Sequence, residues 1–132
     1  MKRIFFLFVL LFSMSTMVLS QDLTAELKND PNVKIGKLPN GMTYYIRENK
    51  KPEGRVEMRL AVRAGSMQEN EDQLGLAHFT EHMAFNGIEG YPGNTMISEL
   101  QKIGVSFGRE INAYTSFDET VYELTIPVEH LN

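Results

Sequence analysis

The stretch His78-Phe79-Thr80-Glu81-His82 (HFTEH) decides how the rest of this sequence is interpreted. On an α-helix, residues three and four positions apart share one face, so His78, Glu81 and His82 project together. Two imidazole nitrogens one turn apart can bind a single Zn²⁺, and a carboxylate beside them can act as a general base. The pattern therefore predicts a zinc site that activates water for amide hydrolysis. The alternative is that these are solvated residues on an ordinary amphipathic helix.

The residues around the motif predict a buried helix from Leu74 to Asn86, ended by Gly87. This segment is apolar nearly all round, and such helices usually lie inside a protein. Buried histidines and a buried glutamate need a partner, which a metal would supply. The apolar positions are Leu76, Ala77, Phe79, Met83, Ala84 and Phe85.

A catalytic zinc site needs three protein ligands and an open position for water. The chain has no cysteine, so any metal must be held by histidine and carboxylate. No spacing singles out a third ligand, and several residues remain open as candidates. These are Asp118, Glu119, Glu123, Glu129 and His130.

The first 20 residues predict a secretory signal peptide. Lys2 and Arg3 precede the apolar run Ile4–Phe12, and the small residue Ser20 marks a cleavage site. We expect an exported protein, in the periplasm or cell envelope or secreted. The alternative is a retained membrane anchor, for which the apolar run is short.

The charge of the exported chain argues against nucleic-acid binding. Without Lys2 and Arg3, 11 basic residues face 17 acidic ones, which gives a net charge of −6. Proteins that bind nucleic acids usually have basic patches that contact the phosphates, whereas the net charge of this chain is negative. We expect no nucleic-acid partner.

After a polar lead-in at residues 21–32, the pattern predicts grouped strands beside helices. Asn40-Gly41 between two strand-like runs is a strong hairpin signal. The expected elements are strands at 33–38, 42–48, 55–64 and 119–126, a second helix from Asn94 or Thr95 to about Ile103, a strand or extended link at 105–111, and a helix that starts at Pro127. This order favours an α+β fold, with helices packed on one face of a mostly antiparallel sheet.

Four segments together resemble the N-terminal part of the first domain of the pitrilysin-like (M16) zinc peptidases. H-x-x-E-H is the inverzincin pattern, the reverse of the commoner H-E-x-x-H. The resemblance covers residues 33–132, which we expect to form a truncated peptidase domain. The segments are LPNGMTYYIREN (38–49), RAGSMQE (63–69), GLAHFTEHMAFNG (75–87) and GREINAYTSFDETVYELTIP (108–127).

This resemblance implies a role for each candidate site residue. His78 and His82 would bind Zn²⁺, and Glu81 would activate water. Asn112, Ala113 and Tyr114 would pair with an extended substrate, and Phe85 with Tyr114 would line a pocket for an apolar side chain. The expected substrate is a peptide or unfolded polypeptide, and a second, related half or subunit would close around it.

In this family the third ligand is a glutamate about 70–80 residues after the second histidine, which lies beyond Asn132. We therefore expect a fragment whose metal is weakly held and which hydrolyses little on its own. One alternative is a non-catalytic partner subunit or inactive remnant. Another is an unrelated envelope binding module in which HFTEH occurs by chance.

Overall fold

The computed structural model describes residues 28–131. The expected signal peptide, residues 1–20, and most of the lead-in lie outside the described residues. Within the described part of the chain, no helix is long and apolar enough to cross a membrane. The chain forms two compact units that divide after Glu48.

In the first unit, strands β1 (Val33–Lys37) and β2 (Thr43–Arg47) form an antiparallel hairpin. Gly41 has φ of 87°, a left-handed conformation that glycine adopts at little cost. The side-chain oxygen of Asn40 accepts a hydrogen bond from the Met42 N–H at 3.0 Å. The hairpin predicted from Asn40-Gly41 is therefore confirmed. The side chain of Asn40 also stabilises the turn through this hydrogen bond.

The second unit begins at Asn49 and contains the candidate site. Its helices and strands follow the predicted order, with a small extra hairpin (β4 and β5) between the two helices. In chain order they are β3 (Arg55–Val62), α1 (Leu76–Met83), β4 (Gly87–Ile88), β5 (Tyr91–Pro92), α2 (Thr95–Lys102), β6 (Ile111–Thr115) and β7 (Thr120–Pro127). Two 3₁₀ turns, Ser66–Gln68 and Val128–His130, lie outside these elements.

The main sheet has the order β3-β7-β6, and both pairings are antiparallel. Thr120 of β7 lies opposite Val62 on one side and Thr115 on the other. Residues that lie opposite one another point to the same face of a sheet. This row therefore defines one face, and among the described residues β6 is an edge strand.

The hydrophobic core lies on that same face. Val105, Ile111 and Ile126 are buried there, and α2 contributes Ile97 and Leu100. The partly buried residues packed around this centre include Val56, Met58, Phe85, Ile103 and Leu124. The predicted α+β architecture, with helices on one face of an antiparallel sheet, is confirmed.

Helix α1 is shorter and more exposed than predicted. The prediction placed it from Leu74 to Asn86, but Gly75 is left-handed at φ 89°, so the helix begins after it. The prediction of a buried helix is also wrong, because Glu81 is its only buried residue and Phe79 is 59% exposed. The helix contacts the sheet along one side only, and its other apolar side chains face solvent.

The prediction of a strand or extended link at residues 105–111 is also wrong. Gly108 has φ of 86° and its N–H donates to the Ile111 carbonyl at 2.8 Å, so the chain turns there. Ile111 is the first residue of β6. The helix expected after Pro127 is a single 3₁₀ turn in the described residues.

We expect Val105→Ala to lower the free energy of unfolding by about 2 kcal/mol, because it removes two methyl groups from a filled core. Val105 is 2% exposed, whereas Val128 is 51% exposed. The matched control Val128→Ala makes the same deletion at the surface and should cost well under half as much. Urea unfolding measures both, and equal losses would contradict the assigned core.

Candidate functional site

The position of α1 is fixed at its N-terminus by a carboxylate from the preceding loop. Glu69 accepts hydrogen bonds from the backbone N–H groups of Gly75 and Ala77, each at 2.8 Å. These N–H groups belong to the helix start, where intrahelical partners are lacking and the dipole favours negative charge. The two hydrogen bonds lower the pKa of Glu69 below its ordinary value of 4.5.

One turn into the helix, the two histidines of the motif converge. Their Nε2 atoms are 3.1 Å apart, and their ring centroids are separated by 4.6 Å. Both side chains are exposed, whereas Glu81 between them is only 7% exposed. The helix thus presents two nitrogen ligands outward and holds one carboxylate against the sheet.

The buried carboxylate of Glu81 is held by the edge strand. The hydroxyl of Thr115, in β6, donates to Glu81 Oε2 at 2.9 Å. Thr120 lies behind it, with its hydroxyl 3.3 Å from Thr115 Oγ1, and donates to the Ala64 carbonyl at 2.8 Å. The sequence analysis did not identify either threonine. Their positions depend on how β6 and β7 are aligned, and no sequence motif marks that alignment.

All seven predicted site residues border one cleft of about 390 Å³. The α1 side contributes the two histidines, Glu81 and Phe85, and the β6 side contributes strand residues 112–115. The full lining is His78, Glu81, His82, Phe85, Phe107, Asn112, Ala113, Tyr114 and Thr115. The structure brings these residues together, and it adds Phe107 and Thr115 to the predicted set.

Phe107 and Tyr122 extend the aromatic wall on either side of Phe85. The ring centroid of Phe85 lies 5.4 Å from that of Phe107, in an edge-to-face arrangement, and 6.2 Å from that of Tyr122. Such edge-to-face contacts hold aromatic rings at defined angles. Phe85 and Phe107, which both line the cleft, therefore form an aromatic pair in its wall.

Burial, and after it nearby negative charge, raises the pKa of two tyrosines near the cleft. The pKa of Tyr122 is raised by partial burial and by the carboxylate of Glu81. The pKa of Tyr114 is raised by partial burial and then by Glu119, whose Oε1 accepts a hydrogen bond from the Tyr114 hydroxyl at 3.2 Å. Both phenols are therefore neutral hydrogen-bond donors at ordinary pH.

The acidic residues considered as third ligands are engaged elsewhere or lie apart from the histidines. Glu119 is bonded to Tyr114, and Glu123 forms an ion pair with Arg59 at 3.2 Å. His130 is exposed in the last 3₁₀ turn. Among residues 28–131, no group of three histidine, aspartate or glutamate side chains is placed to share a metal.

The histidine pair itself fits zinc. Two nitrogens bound to one tetrahedral zinc at about 2.0–2.1 Å would lie roughly 3.3–3.4 Å apart. The observed separation of 3.1 Å is within a few tenths of an ångström of that value. His78 and His82 could therefore supply two of the ligands that a zinc site needs.

Known proteins resemble this chain in sequence and in fold. The model of the family described as Insulinase (Peptidase family M16) matches residues 44–132. The probable zinc protease PqqL of Haemophilus influenzae is 46% identical over 130 residues, which are 96% of this chain and 14% of that protein. The protein of the same name in Escherichia coli is 44% identical over 105 residues, covering 80% of this chain and 11% of that protein.

A solved structure shares the fold. The first half of the periplasmic protease PqqL from Escherichia coli has a TM-score of 0.76 and 43% identity, covering 81% of this chain and 23% of that chain. The present chain spans at most 14% of the length of the two curated relatives described above.

We expect Glu69→Gln to lower the melting temperature at about pH 7, because an amide cannot accept both N–H hydrogen bonds as a carboxylate does. The folded-state pKa of Glu69 is lowered, so its stabilisation is present above its ordinary pKa and is lost as pH falls through the folded value. The difference between variant and wild type should therefore shrink at about pH 3. Thermal unfolding at both pH values measures it.

The matched control is Glu71→Gln, which makes the same change at an exposed position of the same loop. We expect it to leave the melting temperature nearly unchanged at both pH values. A Glu69→Gln deficit that is equally large at acid and neutral pH would contradict the carboxylate cap.

Proposed function

The chain belongs to peptidase family M16, and from that premise we propose that it carries the zinc-binding and water-activating part of an exported metallopeptidase. The observation that supports this most strongly is the arrangement on α1. Two histidine nitrogens converge at 3.1 Å, and a carboxylate buried beside them faces the same cleft. The proposed reaction is hydrolysis of a peptide bond.

Each of the three motif residues has a separate role in the proposal. His78 and His82 would hold zinc, and when bound zinc supplies a water of lowered pKa and a polarised substrate carbonyl. Glu81 would take the proton from the attacking water and pass it to the leaving amine. Burial of this carboxylate against β6 keeps it beside the histidines.

We propose that the third ligand is a glutamate from outside residues 28–131. The described residues contain no cluster of three suitable side chains. With two ligands, the isolated 132-residue chain would bind zinc weakly and hydrolyse little, since a catalytic zinc site has three protein ligands. The natural protein that contains this chain would complete the site.

The proposed substrate is an extended peptide or unfolded segment that pairs with β6. This strand is bonded to β7 on one side, and its other edge borders the cleft. Asn112, Ala113 and Tyr114 would contribute backbone groups, because an open strand edge binds an extended chain through main-chain hydrogen bonds. Phe85 and Tyr114 would contact an apolar side chain of the substrate.

Location and assembly are part of the same proposal. The start of the sequence predicts export, and the Escherichia coli relative is described as a periplasmic protease. We propose that this protein also acts outside the cytoplasm, in the periplasm or cell envelope or after secretion. A second, related half or subunit would close around the peptide.

We expect His78→Ala or His82→Ala to abolish stoichiometric zinc binding in the natural protein, because each removes one ligand. Glu81→Gln should retain zinc and lower kcat by at least about 10²-fold, the scale of a lost general base. His130→Ala removes the third histidine of the 132-residue sequence and is the matched control, which should keep both zinc and activity. Metal analysis and cleavage of a quenched fluorescent peptide measure these effects.

Three outcomes separate the alternatives. Zinc binding without hydrolysis by the wild-type natural protein would favour a non-catalytic partner subunit. Zinc binding that survives His78→Ala would show that the motif is not the metal site. Stoichiometric zinc and strong cleavage by the isolated 132-residue chain would contradict the proposal of an external third ligand.

A further inference from the structure

Glu81 is the one buried residue of helix α1. Every other residue of α1 is at least partly exposed, yet the Glu81 carboxylate lies against the sheet. Its contact there is the hydroxyl of Thr115, 34 residues later in the chain, which donates to Oε2 at 2.9 Å. A hydrogen bond to a charged acceptor is stronger than one between neutral groups. This bond is therefore a specific link between helix and sheet.

Thr115 is itself held in place. It lies at the end of β6 directly opposite Thr120 of β7, and the two hydroxyl oxygens are 3.3 Å apart. Thr120 is 5% exposed and donates to the Ala64 carbonyl at 2.8 Å, which ties it to the end of β3. A β-branched side chain such as threonine has few χ1 choices. The donor that faces Glu81 is therefore fixed by all three strands.

The bond to Thr115 makes the two carboxylate oxygens unequal. Oε2 accepts the threonine hydrogen bond, whereas Oε1 accepts none from the described residues. No buried side-chain oxygen of the described residues lacks a partner, so Oε1 is not fully buried, and Glu81 is one of the residues that line the cleft. One oxygen is anchored to the sheet, and the other is left to receive a proton.

We infer that Thr115 is a positioning residue for Glu81: its hydroxyl binds Oε2 and presents Oε1 to the water that is to be deprotonated. This inference rests on the proposed function for its catalytic consequence, but the positioning itself is a property of the apo chain. A glutamate has three side-chain torsions and loses much freedom when fixed. Thr115 removes that freedom before substrate binds, and alignment of reacting groups is worth large factors in rate.

The test replaces the hydroxyl and keeps the shape. Thr115→Val is isosteric, Thr115→Ser restores the donor, and Thr43→Val makes the same change at an exposed position of β2, outside the zinc motif. In the natural protein, we expect Thr115→Val to lower kcat by roughly 10- to 100-fold, the effect of losing a hydrogen bond to a charged group. Zinc content should change little and kcat should fall more than KM rises, because this hydroxyl is bonded to Glu81. Thr115→Ser should recover most of the rate, and Thr43→Val should match wild type.

A second readout does not depend on activity. Crystal structures of wild type and Thr115→Ser should show one Glu81 conformer with Oε2 bound to the hydroxyl, whereas Thr115→Val should show the carboxylate moved or in several conformers. If the valine variant does not fold, Thr115→Ala provides the same two readouts with a smaller side chain.

The outcomes distinguish this inference from the proposed function. If wild type neither binds zinc nor cleaves peptides, the proposed function fails, while the Glu81 conformers still decide whether Thr115 positions the carboxylate. If wild type is active and Thr115→Val keeps both its rate and its Glu81 conformer, the function stands and the inference is overturned. A loss of rate that serine does not restore would also overturn it, because the hydroxyl would not be the cause.

Discussion

The register of β7 between β3 and β6 is the constraint on which the site depends. Thr120 lies opposite Val62 and Thr115, so both threonine hydroxyls lie on the face that meets α1. If β6 slipped by one residue against β7, every side chain of β6 would turn to the other face. Thr115 would then point away from Glu81, and the helix would lose its hydrogen bond to the sheet. Register here is specified by the core, because Ile126 and Leu124 must face α2.

Helix α1 shows how a short, exposed helix is held by polar contacts. Eight residues are too few for a stable isolated helix in water, and most of its apolar side chains face solvent. Its fixed points are Glu69, which binds the N–H groups at its start, and Glu81, which meets Thr115 near its end. His78 lies between these two points, and His82 directly follows the second. The helix that carries both histidines is therefore held by a carboxylate contact near each end.

The sequence predicted the elements that have local signals. Asn40-Gly41 predicted the hairpin, alternation predicted β3 and β7, and the spacing within HFTEH placed the motif on one helical face. These signals depend on residues within a turn or two of each other, where the geometry is nearly fixed. The seven predicted site residues accordingly border one cleft, although their chemical roles remain predictions.

What the sequence could not predict depends on distant contacts. Burial of α1 was inferred from its apolar composition, but burial is decided by which elements cover a helix, and α1 meets the sheet along one side only. The link from Thr115 to Glu81 spans 34 residues, and it requires knowledge of the register of β6 against β7. A glycine at position 75 is compatible with a helix boundary. That α1 begins directly after Gly75 is connected with the hydrogen bond from the Gly75 N–H to Glu69, a contact that the sequence does not show.

The glutamates of this unit show why residue type alone cannot identify a general base. Glu69 caps a helix, Glu110 accepts the Ser106 N–H at 2.9 Å beside Arg109, and Glu123 pairs with Arg59. In each case backbone donors or an arginine side chain engage the carboxylate oxygens. Glu81 differs because one oxygen is bound by a neutral hydroxyl and the other accepts no hydrogen bond from the described residues, in a side chain that lines the cleft with two histidines. A base needs an oxygen that is free to receive a proton, and the fold leaves one free there.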